Sequence, residues 1–159
     1  MRRILVGVDG SEESKSALRW ALDEAQVAQG ATVKVVHAYR PPEARSYSAY
    51  SDAFIDPASL RRRTDEDRIR REDDELHARQ AAERVLENLL ADVRTDADRS
   101  EVKLVTVPKD AAKALIDLSR DADLLIVGSR GRGGFAGLLL GSVSQQCVRH
   151  ARCPVLVVR

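Results

Sequence analysis

Aromatic residues are scarce in this chain: one Trp, three Tyr and two Phe make up 4% of it. Single-stranded nucleic acid is bound by aromatic faces set along a basic groove, and these are too few to build one. Charge of one sign is missing as well. Lys and Arg number 26 against 25 Asp and Glu, a net charge of +1, so no overall field draws the chain to nucleic acid or a membrane surface. No apolar run approaches the roughly 20 residues that span a bilayer. The opening MRRILVGVDG sets basic residues before apolar ones. Asp9 breaks that run before the roughly 7–15 apolar residues a secretory leader needs. The segment reads as a first strand, and the chain as cytoplasmic.

Two cysteines are too few for a disulfide framework. With His150 between them, Cys147 and Cys153 form C-x2-H-x2-C. Pro154 takes the chain out of any helix before Cys153 could join the other two, and no fourth ligand lies nearby, so packing at a helix-to-strand junction is the better reading.

What is present fits one globular domain over residues 1–159, with 43% hydrophobic and 32% charged residues. RRILVGV at 2–8 has the continuous apolar character of a strand buried on both faces. A helix follows, with Ser11 as N-cap, Glu12 and Glu13 in its first turn, and a stripe at Ala17, Leu18, Ala21, Leu22 and Ala25. Trp20 is expected to pack this helix on the sheet or on a partner. TVKVVHA at 32–38 is a second strand ending in His37, a hydrogen-bonded structural histidine, and Ala38. Residues 41–60, rich in Pro, Ser and Tyr, read as a loop or lid. A charged helix is predicted from about Leu60 to Val93, its stripe at Leu76, Ala82, Val85, Leu86, Leu89 and Leu90. Its mixed-sign run RRRTDEDRIRREDDE reads as a solvated face. EVKLVTV at 101–107, a short helix capped by Asp110, DLLIV at 123–127, the helix SVSQQCVRH and the strand PVLVV complete the alternation. Such alternation specifies a parallel sheet with helices on both faces.

Glycine is sparing except in one place. Six of the nine glycines fall between Gly128 and Gly141, after the most apolar strand and before a helix. A strand, a glycine-rich turn and a helix N-terminus together present outward backbone N–H groups and partial positive charge to an anion. Arg130, Arg132 and the Ser142 hydroxyl add donors at the same place. The loop is not a G-x4-G-K-[ST] phosphate loop, and Ala136 stands where the third glycine of a dinucleotide fingerprint would be. RGRGG at 130–134 lacks the repetition or aromatics of an RNA-binding segment.

The spacing Gly128, Gly131 and Gly141-Ser142 is G-x2-G-x9-G-[ST], and in it the chain resembles the ATP-binding branch of the universal stress protein family. The resemblance extends to VGVDGSEES, VVHA, LLIVGSRG and HARCPVLVVR. It implies a Rossmann-like, five-stranded parallel sheet in the order 3-2-1-4-5, whose reversal point between the first and fourth strands is where ligands bind in open α/β sheets. It further implies that Gly128, Gly131, Gly141 and Ser142 hold the phosphates of ATP, with Ser129, Arg130, Arg132, Gly133, Val143 and Ser144 around them. Gly7, Val8 and Asp9 close the first strand, and Asp9 is expected to face the ribose or an Mg2+ ion bound with the nucleotide. Ala38 and Val107 are expected to border the adenine. Lys109 departs from the glycine usual before the third helix. The resemblance also implies a homodimer through the terminal strand at 154–158 and an ATP-dependent regulatory switch in stress or dormancy, acting on a protein partner that the sequence does not identify. No nucleophile–base constellation is visible, and neither S-G-G-x-D-S nor H-x-G-H occurs. Slow ATP hydrolysis or self-phosphorylation on Ser142 or Ser144, and a nucleotide-independent dimeric interaction module, stand as alternatives.

Overall fold

The computed structural model describes residues 2–28, 30–41, 57–95, 98, 100–131 and 139–159. Most of the 41–60 segment lies outside the described residues, as do Arg132 and Gly133. Five strands, β1 (Arg3–Gly7), β2 (Thr32–Ala38), β3 (Glu101–Val107), β4 (Leu124–Gly128) and β5 (Val155–Val158), form a parallel sheet in the order β3-β2-β1-β4-β5. Four helices cover it: α1 (Glu12–Val27), α2 (Pro57–Val93), α3 (Ala111–Leu118) and α4 (Ser142–His150). The expected strand order is the observed one. The register sets Gly7 of β1 beside Val127 of β4 on one side and Val36 of β2 on the other.

The period of two along each strand divides the core into two layers. Ile4, Val6, Val33, Val35, Leu124 and Ile126 turn to one face, where α1 and α2 cover them. Leu5, Val36, Leu125 and Val127 turn to the other, beneath Leu115 of α3 and Cys147 of α4. The α1 stripe is buried at every expected position, and fully burying one such leucine contributes about 1.5–3 kcal/mol. Ser11 caps α1 as expected, its Oγ accepting from the Ser14 N–H at 3.2 Å. Asp110 caps α3 in the same way, accepting from the Lys113 N–H at 3.2 Å.

Two expectations need revising. Trp20 stays 37% exposed and belongs to neither core layer, so it does not pack α1 on the sheet, which leaves the partner half of that expectation. Leu76 is 51% exposed, so the α2 stripe begins only at Ala82. The cause is length: α2 runs for 37 residues, and among the described residues it packs on the sheet through its last third, by Ala82, Leu86, Leu89 and Val93.

The amino end of the sheet is tied by charge. Asp123 accepts from the Arg3 N–H at 2.7 Å and from its guanidinium at 3.1 Å, and Arg2 pairs with Glu24 of α1. The Arg3 hydrogen bond holds the Asp123 carboxyl below its ordinary range. The Asp123 N–H donates to Arg3 O at 2.8 Å, which joins the entries of β1 and β4.

Candidate functional site

The carboxyl end of the sheet is built differently. A cavity of about 360 Å3 opens where β1 and β4 part, at the point of reversal in strand order. Its floor is apolar, made by Val36, Val127 and Leu115, with Ala111 of α3 and Val143 of α4 beside them. Among the described residues lining it, Asp9 is the only carboxylate, and Arg130 is the only Arg or Lys.

Asp9 is positioned by the turn into α1. Its Oδ1 accepts from the Ser11 N–H at 3.0 Å and from the Ser11 hydroxyl at 2.6 Å. The same Ser11 Oγ caps α1, so the helix start and the carboxylate are fixed as one unit. The other oxygen, Oδ2, lies against Gly131, where a Cβ would overlap it. Gly131 is thus the residue that gives the Asp9 carboxylate room.

Gly128 is also required by packing. A Cβ there would lie 2.9 Å from the Glu13 carbonyl carbon and 3.1 Å from its oxygen, and backbone at the first turn of α1 cannot swing aside. Gly141 differs: a Cβ would meet its nearest neighbour, Arg130 Cα, at 3.5 Å, an ordinary contact. Its φ of −75° suits any residue. Nothing among the described residues demands glycine there, yet the residue stands at the N-cap of α4 and lines the cavity.

The α4 N-terminus faces this space. Gly141 N–H donates to Ser129 O at 2.7 Å, and the first N–H bonded along the helix is that of Gln145, to Gly141 O at 3.0 Å. The N–H groups of Ser142, Val143 and Ser144 have no acceptor among the described residues. Three such donors on one rim, with the positive end of the helix dipole, form an anion-binding arrangement. The Ser142 side chain is exposed at this rim. The Ser144 hydroxyl is buried and donates within reach of Ser129 O (3.0 Å) and Gly141 O (2.9 Å), so it fastens the loop to the helix.

Of the expected site residues, Gly7, Val8, Asp9, Ala38, Gly128, Arg130, Gly131, Gly141, Ser142, Val143 and Ser144 line the one cavity. Ser129 is 2% exposed beneath it and acts through its backbone. Val107 packs in the α3–α4 core layer and lies off the cavity wall. The position of Lys109 also lies off it, with Nζ 3.6 Å from Asp117 of α3. His37 Nδ1 sits 2.9 Å from Val8 O; a carbonyl requires a donor, so Nδ1 carries the proton and the ring ties β2 to the end of β1. Sequence reasoning missed Ser14, Val36, Ala111, Leu115 and Val127, whose apolar or small side chains carry no motif.

Strand order, a crest cavity at the reversal point and a glycine-fronted helix N-terminus define a doubly wound α/β protein with a candidate ligand cavity. The universal stress protein family model matches residues 1–159. The chain belongs to that family. It is 33% identical over 158 residues to a universal stress protein of Thermus aquaticus, covering 99% of this chain and 98% of the relative. It is 34% identical over 155 residues to universal stress protein Rv2623 of Mycobacterium tuberculosis, covering 98% of this chain and 46% of that protein. The chain thus spans about half the length of the mycobacterial relatives it matches. Among solved structures, a universal stress protein of Archaeoglobus fulgidus in complex with dAMP superposes with a TM-score of 0.61 at 22% identity, covering 100% of this chain and 98% of that one. One of Arabidopsis thaliana with AMP bound gives 0.56 at 19%, covering 99% and 91%. Among the described residues, no helix is long and apolar enough to cross a membrane.

Proposed function

We propose that this chain binds an adenine nucleotide, ATP with Mg2+, in the crest cavity, and that occupancy switches its association with a regulatory partner in a stress or dormancy response. The observation that carries the reading is Gly141: among the described residues nothing opposes a side chain there, and leaving it out keeps open to the cavity three α4 N–H groups that have no acceptor among those residues. Phosphates would lie along Gly141, Ser142 and Val143, with Arg130 as the charged neighbour. The ribose would meet Asp9, and the base the apolar floor toward Ala38. The volume of about 360 Å3 falls within the range of small-ligand sites. The donor set also fits Mg2+, which keeps most of its waters and takes one carboxylate, here Asp9, plus phosphate oxygens. That ion would neutralise triphosphate charge; the chain's own groups bind and orient. The dAMP and AMP complexes of relatives support the choice of an adenine nucleotide.

The terminal strand supports a homodimer. β5 is an edge strand with half-buried valines, and an open apolar edge is a liability that pairing removes. The reading is tested by denaturing freshly purified protein and identifying what is released. Adenine nucleotide from wild type and none from Gly141→Glu supports it. Equal amounts from both, or none from wild type together with no stabilisation by added ATP, refutes it.

A further inference from the structure

The last bond between β1 and β2 is made by a side chain. In a parallel ladder a residue turns its N–H and C=O to one neighbouring strand, and successive residues alternate. Val8 N–H donates to Val36 O at 2.9 Å, so Val36 turns toward β1. Tyr39 N–H donates to Val107 O at 3.0 Å, so Tyr39 turns toward β3. Ala38, two residues past Val36, therefore turns its N–H and C=O toward β1. The register that sets Gly7 beside Val36 sets Val8 beside His37, and the regular next bond would run from Ala38 N–H to Val8 O. That bond is not formed. His37 Nδ1 donates to Val8 O at 2.9 Å in its place.

The Ala38 carbonyl loses its regular donor as well. The ladder would supply Gly10 N–H, but Gly10 turns the chain into α1 at a φ of +87°. β2 is an interior strand, so these groups are unpaired because the ladder stops and not because the sheet ends. Ala38 and His37 both line the crest cavity. A main-chain donor and a main-chain acceptor thus stand together at its β2 end, with no partner among the described residues.

We propose that His37 is a positioning residue for base selection: by holding Val8 O, its ring keeps the Ala38 N–H and C=O free to read the edge of the bound base. The inference rests on the nucleotide reading above and adds what chooses among nucleotides. A donor beside an acceptor matches adenine, which presents a ring-nitrogen acceptor next to an amino donor. It opposes hypoxanthine, which presents a carbonyl acceptor next to a ring N–H donor in the reverse order. A site built to hydrogen-bond one pattern leaves its own groups unpaired against the other. The α4 N–H groups make no such choice, because phosphates are common to every nucleotide.

Amide exchange, followed by NMR on the whole chain without ligand, tests the stopped ladder. Ala38 N–H should exchange at least roughly tenfold faster than the ladder-bonded Val36 N–H, and slow at least roughly tenfold when ATP with Mg2+ is added. His37→Leu removes the donor and leaves Val8 O to Ala38, so exchange there should slow without nucleotide. His37→Asn keeps an N–H near the Nδ1 position and should behave as wild type. Competition between ATP and ITP reads the choice of base. Wild type and His37→Asn should prefer ATP at least roughly tenfold, the worth of about one hydrogen bond, and His37→Leu no more than about twofold. Affinity for inorganic triphosphate should be the same in all three. The proposal is overturned if Ala38 is protected in ligand-free wild type, if a folded His37→Leu keeps the ATP preference, or if His37→Asn loses it. Wild type that binds neither nucleotide overturns the nucleotide reading and the base choice with it, while Ala38 exchange still decides whether His37 stops the ladder.

Discussion

The two ends of one sheet are finished by opposite means. At the amino end, Arg3, Asp123, Arg2 and Glu24 tie strand entries and α1 together with charged hydrogen bonds. At the carboxyl end, β1 and β4 stop in glycine, one carboxylate is braced by a helix cap, and α4 N–H groups have no acceptor among the described residues. Among the described residues the amino end also has side-chain oxygens without hydrogen bonds, Asp98 Oδ2 and Ser100 Oγ, but these are buried, whereas the α4 N–H groups border a cavity. Buried or rim polar groups normally find partners, so a cavity rim that withholds them is shaped for something outside the chain.

The contrast can be broken most sharply at Gly141. Gly141→Glu should fold, because the Cβ is accommodated, and its carboxylate should repel phosphate at the helix terminus. Nucleotide affinity is expected to fall by at least roughly a hundredfold with the melting temperature nearly unchanged, which calorimetric titration and thermal unfolding would check. Gly128→Ala makes the opposite split. Overpacking against the Glu13 backbone should cost about 1–3 kcal/mol in denaturant unfolding, with or without nucleotide. Ser11→Ala couples the two effects. Losing the cap should cost about 1 kcal/mol, and removing one of the two Ser11 donors to Asp9 Oδ1 should also lower the Mg2+ dependence of nucleotide binding.

The smallest effect belongs to the amino end. The folded Asp123 carboxyl titrates below its ordinary range, so its contribution is present above that range and is lost as acid protonates it. Asp123→Asn should therefore flatten the dependence of stability on pH below about pH 4 and leave nucleotide affinity alone. Both groups of this pair are partly exposed, which keeps the change small.

Local rules made most of the fold legible. Apolar runs bounded by glycine and proline mark the strands, and Ser11 and Asp110 announce their helices because a short oxygen-bearing side chain is what an N-terminus needs. The strand order rested on family resemblance, since parallel pairing is nonlocal and leaves little trace in a single sequence. Leu76 was misread because helical periodicity continues past the point where the sheet ends, and periodicity contains no record of where a partner stops. The cavity's glycines were legible as a group, but their different duties were not. Gly128 and Gly131 answer to Glu13 and Asp9, contacts made only on folding, while a Cβ at Gly141 would make only ordinary contacts among the described residues. Leu115 and Val127 had no signal at all, because a ligand floor and a core residue have the same composition.

The central claim is that the carboxyl end of the sheet is a nucleotide site and that Gly141 keeps it open. Titrating ATP with Mg2+ into wild type and Gly141→Glu, stripped of bound ligand, tests it most directly. The account predicts saturable binding of one nucleotide per chain in wild type and none in a variant that unfolds at the same temperature. A folded Gly141→Glu that binds ATP as tightly as wild type would contradict it.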